Sequence, residues 1–167
     1  MTIDTMRLRI KTMSIIHEKI YSSPDLQNIN LDEFLKELAQ TQLIFHEIDD
    51  VDVKVDLDPS LKGNMATLTS ISLICTELFL NTVLYAYDEN QTDKTIEFYC
   101  KEEGDKICLI YKDNGKGLPE GIGLENPKTL GFNIIKLLSE QLDGSIEDMA
   151  TEKGAAFKLS LPAKRLR

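Results

Sequence analysis

The stretch from Ile71 to Tyr87 constrains the fold of this chain more than any other segment, because it is apolar over nearly its whole length. Hydrophobicity on all sides predicts a helix from Thr67 to Tyr87 that lies inside the domain. Glu77 and Asn81 stand at its centre, where a lipid bilayer would penalise both side chains, so no membrane-spanning segment is expected. We therefore predict a soluble domain built around one buried helix.

The flanking segments predict a mixed α/β fold. Apolar residues alternate with polar ones from Val51 to Leu57, as in a strand with one buried and one exposed face. A helix is predicted from Leu130 to Leu142. The remaining predicted strands form two hairpins and lie at Thr95–Lys101, Lys106–Lys112, Ser145–Met149 and Ala155–Leu161. With 167 residues, the chain suffices for one domain and a short appendage.

The N-terminal part predicts a helical hairpin. A stripe with spacings of four and three residues indicates a first helix over residues 5–21; its members are Met6, Ile10, Met13, His17 and Ile20. A second helix is expected from Asn30, its N-cap, to Phe45. The apolar faces of this hairpin, which we assign to residues 1–48, must pack against each other, against the rest of the chain, or against a second copy.

The charge and cysteine content exclude several functions. The chain carries 28 acidic and 19 basic residues, a net charge of -9, which repels a phosphate backbone and argues against nucleic acid as a partner. Three cysteines without a CxxC pair indicate a reducing compartment and no structural zinc. Because the N-terminus also lacks a signal-peptide core, we expect a cytoplasmic location.

Glu77 and Asn81 are four residues apart and therefore share one face of the central helix. Burying such groups without partners costs on the order of 2–7 kcal/mol each. A hydrated Mg²⁺ ion, which takes a few oxygen ligands and keeps its waters, would satisfy them. The alternative is a helix whose polar stripe simply faces solvent.

The sequence Asp-Asn-Gly-Lys-Gly at residues 113–117 directly follows a predicted strand. Gly115 and Gly117 let the backbone approach a ligand closely. The carboxylate of Asp113 can accept a hydrogen bond from an amine such as adenine N6 and would repel the carbonyl of guanine. An ordinary Asp-Asn-Gly turn is the alternative.

A Gly- and Pro-containing stretch over residues 115–128 is long for a connection and predicts a functional loop. Gly131 follows it at the start of a helix, where free N–H groups and the helix dipole favour a polyphosphate. Nearby lysines either help to hold phosphates or are solvated surface charges; they are Lys112, Lys116, Lys128 and Lys136.

The order of these motifs resembles the GHKL ATPase superfamily, in particular the catalytic domain of sensor histidine kinases. The segments that carry the resemblance are Glu77–Ala86, Asp113–Pro119, Leu130–Phe132 and Gly154–Phe157. It covers about residues 51–162 and implies a two-layer α/β sandwich with a mixed sheet, which binds ATP under a lid over residues 118–129. The corresponding catalytic domain would span residues 49–167.

The resemblance also implies roles for individual residues. Asn81 would be a Mg²⁺ ligand, Glu77 would orient a metal-bound water or act as a base, and Tyr85 would stack near the base of ATP or ADP. Asp113 would read the adenine amine. The remaining expected nucleotide-binding residues are Gly115, Gly117, Lys128 and Gly131. Leu84 and Ala155 depart from the family pattern, which commonly has a basic residue and a threonine at these positions.

The N-terminal segment around His17-Glu18-Lys19-Ile20-Tyr21 resembles the end of the second histidine-kinase dimerisation family, related to the HWE kinases. In that family the phosphoacceptor histidine lies in an upstream motif, which we expect to precede residue 1. His17 lies on the apolar stripe, and we expect it to be a packed structural residue. His46 is expected to be a helix-terminal or surface residue.

The resemblance therefore implies a protein-histidine kinase that uses ATP and Mg²⁺, transfers the γ-phosphate to an upstream histidine, and passes it to a response regulator. A homodimer through the N-terminal helices is expected, and this chain alone should autophosphorylate poorly. One alternative is an anti-sigma-factor serine kinase of the same superfamily. Another is a non-catalytic, nucleotide-gated binding module.

Overall fold

A computed structural model describes residues 10, 13, 14, 17, 18, 21 and 25 and the continuous stretch 27–167. Three α-helices are complete within that stretch: α1 (Leu31–Phe45), α2 (Met65–Asn81) and α3 (Leu130–Gln141). A π-helical turn, Thr82–Ala86, continues α2. A short 3-10 helix, Ala163–Arg165, lies near the C-terminus.

Side-chain caps define where the three helices begin. The Asn30 side chain accepts from the Glu33 N–H at 2.9 Å, as predicted for the start of α1. The Asn64 side chain accepts from the Thr67 N–H at 2.9 Å, so α2 begins at Met65, two residues before the predicted start. Thr129 caps α3 in the same way, at 3.3 Å from the Phe132 N–H.

The strands form one five-stranded mixed sheet and one two-residue pair. The five-stranded sheet contains β2 (Val51–Asp56), β4 (Lys94–Glu103), β5 (Lys106–Asp113), β6 (Ser145–Met149) and β7 (Ala156–Pro162). Its order is β2-β4-β5-β7-β6, with β2 parallel to β4 and the other neighbours antiparallel. The small pair consists of β1 (Ile29–Asn30) and β3 (Lys62–Gly63).

One face of the sheet carries the core. Alternation along the strands places Ile96 and Phe98, Leu109 and Tyr111, and Leu159 on the side that the helices cover. The central helix α2 contributes fully buried residues such as Ile71 and Ile74. Helices on one face of a mixed sheet confirm the predicted α/β sandwich.

Burial explains the length and apolar character of the central helix. The segment Met65–Ala86 is long and apolar enough to cross a membrane, but 67% of its most apolar part is buried within the fold. A core helix of a water-exposed domain has the same pattern. The predicted position of this helix inside the domain is confirmed.

The apolar face of α1 packs against the rest of the chain. Leu31, Phe34, Leu35 and Leu38 are buried and belong to the same core as the sheet residues. Of the three predicted partners for this apolar face, the rest of the chain is therefore the one that covers α1. The domain boundary after residue 48 stays a prediction.

The first predicted helix is described at only a few positions. Ile10, Met13, His17 and Tyr21 are helical and exposed, whereas Met6 and Ile20 lie outside the described residues. Within the described part of this chain the side chain of His17 is exposed, and its ring lies 4.7 Å from the ring of Tyr21, so the expected packing against the rest of the chain is not found there. Packing of His17 against a second copy stays a prediction. The stripe lacks a partner among the described residues, and hydrophobic periodicity alone cannot say what covers such a face.

Candidate functional site

A cavity of about 500 Å³ opens where α2 ends, between the end of β5 and the start of α3. Its volume lies in the range that is usual for small-molecule sites. Apolar side chains form most of its wall: Leu78, Leu84, Ile122, Phe132 and Phe157. The polar residues that line it are few: Asn81, Thr82, Asp113, Lys116 and Thr129. Four segments that are distant in sequence, including the start of β7, thus converge on one concave site.

Asp113 is the most highly connected polar residue of this cavity. It is 2% exposed, and its Oδ1 accepts hydrogen bonds from the N–H groups of Gly115 (2.9 Å) and Ala155 (3.1 Å). Its Oδ2 accepts from the hydroxyl of Thr82 at 2.8 Å. Hydrogen bonds offset the cost of burying the carboxylate, and they hold it in one orientation toward the cavity.

The neighbours of Asp113 include two residues that the sequence analysis did not select. Thr82 comes from the π-helical turn, and it also accepts a hydrogen bond from the Tyr111 hydroxyl at 2.5 Å. The pKa of Tyr111 is raised well above its usual range, first by burial and also by the negative charge of Asp113. Thr82 could not be paired with Asp113 from the sequence because the two residues are 31 positions apart. A polar residue directly after Asn81 in an apolar stretch was nevertheless an available signal.

Close backbone contacts require glycine at two positions near Asp113, namely Gly115 and Gly154. A Cβ atom on Gly115 would lie 2.5 Å from the carbonyl oxygen of Ala86, and one on Gly154 would lie 1.9 Å from that of Asp113. The Lys116 N–H also donates to the Ala86 carbonyl at 2.9 Å. Gly115 thus joins the loop to the π-helical turn. Gly154, the first residue of a segment that carries the family resemblance, fits the start of β7 against the end of β5.

Gly117 has a different position. It lines the cavity, and its φ of +80° belongs to the left-handed region that favours glycine. A Cβ atom there would lie 3.1 Å from the carbonyl oxygen of Gly154. The close approach seen here is between two segments of the protein, and the predicted approach of Gly117 to a ligand stays a prediction.

Asn81 lines the cavity, one helical turn after Glu77. Its Nδ2 atom is buried and has no hydrogen-bond partner in the protein. A buried amide group without a partner costs about 1–3 kcal/mol, so the position is suited to a ligand that completes its bonding. Glu77 is buried but does not line the cavity.

Tyr85 and Leu84 stand at the rim of the cavity, with 64% and 49% of their surfaces exposed. At the start of α3, Thr129 and Phe132 line the cavity, whereas Gly131 is buried and does not line it. Among the four lysines considered from the sequence, Lys116 lines the cavity, and Lys128 is exposed outside the lining. Whether Lys128 contacts a ligand stays a prediction.

The loop between β5 and α3 is anchored at its middle. Leu124 is buried in the core, and its N–H donates to Oδ2 of Asp148 at 3.0 Å. A Cβ atom on Gly123 would lie 2.5 Å from the same Asp148 oxygen. Ile122, just before this anchor, lines the cavity. The loop thus closes one side of the site.

Sequence comparison identifies related proteins. A family model described as histidine kinase matches residues 1–46. The sensor histidine kinase PdtaS of Mycobacterium tuberculosis is 27% identical over 164 residues, which cover 94% of this chain and 32% of that protein. The chain thus spans about a third of the length of this relative.

Structural comparison finds the same fold in solved structures. The histidine kinase domain of the blue-light activated histidine kinase EL346 from Erythrobacter litoralis has a TM-score of 0.79 and 17% identity, covering 98% of this chain and 76% of that one. The ATP binding domain of PrrB from Mycobacterium tuberculosis has a TM-score of 0.57 and 23% identity, covering 83% and 97%. Together with the sequence matches, these similarities confirm the resemblance to sensor histidine kinases.

Proposed function

We propose that this chain, similar in sequence and fold to sensor histidine kinases, contains the ATP-binding catalytic domain of such a kinase. The observation that carries the proposal is the convergence of Asn81, Asp113 and the start of α3 on one cavity. An apolar wall with a few convergent polar groups is the usual form of a small-molecule site. The cavity would take ATP or ADP.

Asp113 would accept a hydrogen bond from the base of the nucleotide. Three of about four acceptor positions of its carboxylate are used within the protein, by Gly115, Ala155 and Thr82, which leaves one for a ligand. An exocyclic amine can donate there, whereas a carbonyl oxygen would be repelled. Adenine is therefore the expected base, with the exposed ring of Tyr85 available to stack against it.

The phosphates would extend toward α3. The first N–H groups of a helix have no partner within the helix, and its dipole favours an anion. Thr129, Gly131 and Lys116 lie at or near this end of the cavity. Lys128 is a further candidate contact from the loop that precedes the helix.

Mg²⁺ would accompany the phosphates. No group of three His, Cys, Asp or Glu side chains suited to a metal occurs within the described part of the chain, so nucleotide oxygens would supply much of the coordination. The unpartnered amide of Asn81 fits this role: Oδ1 is a suitable hard ligand, and Nδ2 can donate to a phosphate oxygen. The ion would supply charge neutralisation when bound.

Phosphoryl transfer depends on position and charge more than on covalent help from the protein. In the proposed reaction the γ-phosphate passes to a histidine upstream of this chain and then to a response regulator. Glu77 is buried one helical turn before Asn81 and outside the cavity lining, and its role in orienting a water or acting as a base stays a prediction from the resemblance. The N-terminal helices, residues 1–48, would form a homodimer, and residues 49–167 would bind the nucleotide in a cytoplasmic protein.

Calorimetric titration with ADP, with and without Mg²⁺, tests the binding proposal. Labelled ATP, offered together with a histidine-bearing fragment of the dimerisation type or with a sigma-factor antagonist, tests the transfer. Phosphohistidine on the fragment supports the kinase proposal, and phosphoserine on the antagonist supports the serine kinase instead. Binding without either transfer indicates a nucleotide-gated binding module, and absence of binding contradicts the proposal.

Gly117→Ala is expected to destabilise the protein by about 1–2 kcal/mol, the cost of a left-handed conformation for alanine, and to weaken ADP binding. Gly104→Ala is the matched control. Gly104 has φ +65° and no atom within 4 Å of an added Cβ, so only its stability should fall. Thermal melting and ADP titration of both variants measure the two effects. Equal ADP affinities in the two variants would remove Gly117 from the site.

Incubation of this chain with labelled ATP is expected to leave little acid-labile phosphate, because the family resemblance assigns the acceptor to an upstream motif. His17→Gln should leave ADP affinity unchanged, since His17 is exposed on its helix and not among the residues of the cavity. Mass spectrometry under alkaline conditions makes the measurement. Stoichiometric phosphate on His17 would contradict this expectation.

A further inference from the structure

The distances between Tyr111, Thr82 and Asp113 favour one direction of hydrogen bonding, from the phenol to the carboxylate. The Tyr111 phenol keeps its proton and lies 2.5 Å from Oγ1 of Thr82, to which it donates. Oγ1 then uses its own proton toward Oδ2 of Asp113, 2.8 Å away. The carboxylate can only accept, which sets the direction of both hydrogen bonds from Tyr111 through Thr82 to Asp113.

Tyr111 also prevents Thr82 from turning away. A helical threonine commonly donates to the carbonyl four residues earlier, which here is that of Leu78. The Tyr111 hydroxyl lies 3.4 Å from that carbonyl oxygen, to which it can also donate, and 2.5 Å from Oγ1 of Thr82, so it is in contact with both groups. The ring of Tyr111 is held in the core, with its centroid 5.0 Å from that of Phe98. The position of the donor is therefore fixed by packing.

We propose that Thr82, oriented by Tyr111, is a specificity-determining residue of the base site. This inference rests on the proposed function. Thr82 uses one of the two acceptor positions of Oδ2 of Asp113, and Gly115 and Ala155 use both positions of Oδ1, so that the carboxylate offers a single acceptor position to the purine. Adenine presents one donor at position 6 and an acceptor at N1. Hypoxanthine instead places a carbonyl oxygen at position 6, which the open acceptor position repels. Its N1–H donor would pair with the carboxylate at the position of Oδ2 that Thr82 uses.

Removing the hydroxyl should therefore change the choice of base and not only the affinity. In Thr82→Val, Oδ2 is free to accept from the N1–H of hypoxanthine, and the single position for the adenine amine is no longer fixed. We expect the ratio of the dissociation constants of IDP and ADP to fall by about tenfold, the equivalent of one hydrogen bond of about 1.4 kcal/mol. Tyr111→Phe, which only frees Thr82, should lower the ratio by about threefold.

The test is calorimetric titration of the full chain and its variants with ADP and with IDP, which differ only at position 6 and N1 of the purine. Thr82→Ser keeps the hydroxyl and should retain the native ratio to within about twofold. Tyr99→Phe is the control for loss of a phenol, because Tyr99 lies on β4 outside the cavity lining. Melting curves establish that each variant is folded.

The outcomes separate this inference from the proposed function. A folded Thr82→Val with the native IDP:ADP ratio overturns the role of Thr82, while ADP binding by the native chain still supports the proposed function. A loss of selectivity in Thr82→Ser equal to that in Thr82→Val also overturns it, since the methyl group would then be responsible. If the native chain binds no ADP, the proposed function and this inference both fail. If Thr82→Val does not fold, Tyr111→Phe provides the test. An IDP:ADP ratio of dissociation constants equal to the native one in that variant contradicts the proposal that Tyr111 orients Thr82.

Discussion

Replacement of Asn81 by alanine is expected to lower the Mg²⁺-dependent affinity for ADP by about a hundredfold or more. Loss of groups that only support a metal ligand already costs roughly 10- to 100-fold, and Asn81 is proposed as a ligand itself. The fold should persist, because the Nδ2 atom that is lost has no partner in the protein. Calorimetric titration with ADP, in Mg²⁺ and in EDTA, provides the measurement.

Two further variants make this result specific. Asn81→Asp keeps an oxygen at the same position and should retain a dependence on Mg²⁺. Asn28→Ala removes an exposed amide, which donates to Asp25 at 3.0 Å before α1 begins, and should bind ADP as the native chain does. An Asn81→Ala protein with native affinity in Mg²⁺ would exclude Asn81 from the site.

Asp113→Asn is expected to weaken ADP binding by roughly tenfold to a hundredfold and to abolish the preference for adenine over guanine. A hydrogen bond to a charged group contributes about 1.5–3 kcal/mol, which corresponds to this range. The variant also places an NH2 group where Thr82 or the ligand amine now donates to a carboxylate oxygen. Two donors would then face each other.

Titration with ADP and GDP measures both effects. Asp105→Asn makes the same chemical change at an exposed residue in the turn between β4 and β5, and should leave both affinities unchanged. Some loss of stability is expected for Asp113→Asn, since three protein donors meet its carboxylate. Equal binding of ADP and GDP by the unmodified chain would contradict the adenine assignment outright.

Much of the fold follows from local patterns in the sequence. Both hairpins are where alternation and turn residues predict them, and Asn30 caps α1 as expected. Local patterns succeed here because hydrogen bonding within a hairpin or a helical turn involves residues that are close in sequence. The start of α2 was missed by two residues because the cap, Asn64, lies in a segment without a strong pattern.

The sequence by itself determined the three main helices and the five strands of the large sheet, and the spacing of Glu77 and Asn81 on one helix, but not the β1–β3 pair or the π-helical turn. Only the tertiary structure decided what surrounds Asp113: Thr82 lies 31 residues earlier and Ala155 lies 42 residues later. The same holds for the exposure of His17 and for the contact that requires glycine at position 154. The physical reason is that periodicity specifies which face of an element is buried, whereas the register of the sheet and the packing of α2 on it select the residues that meet there.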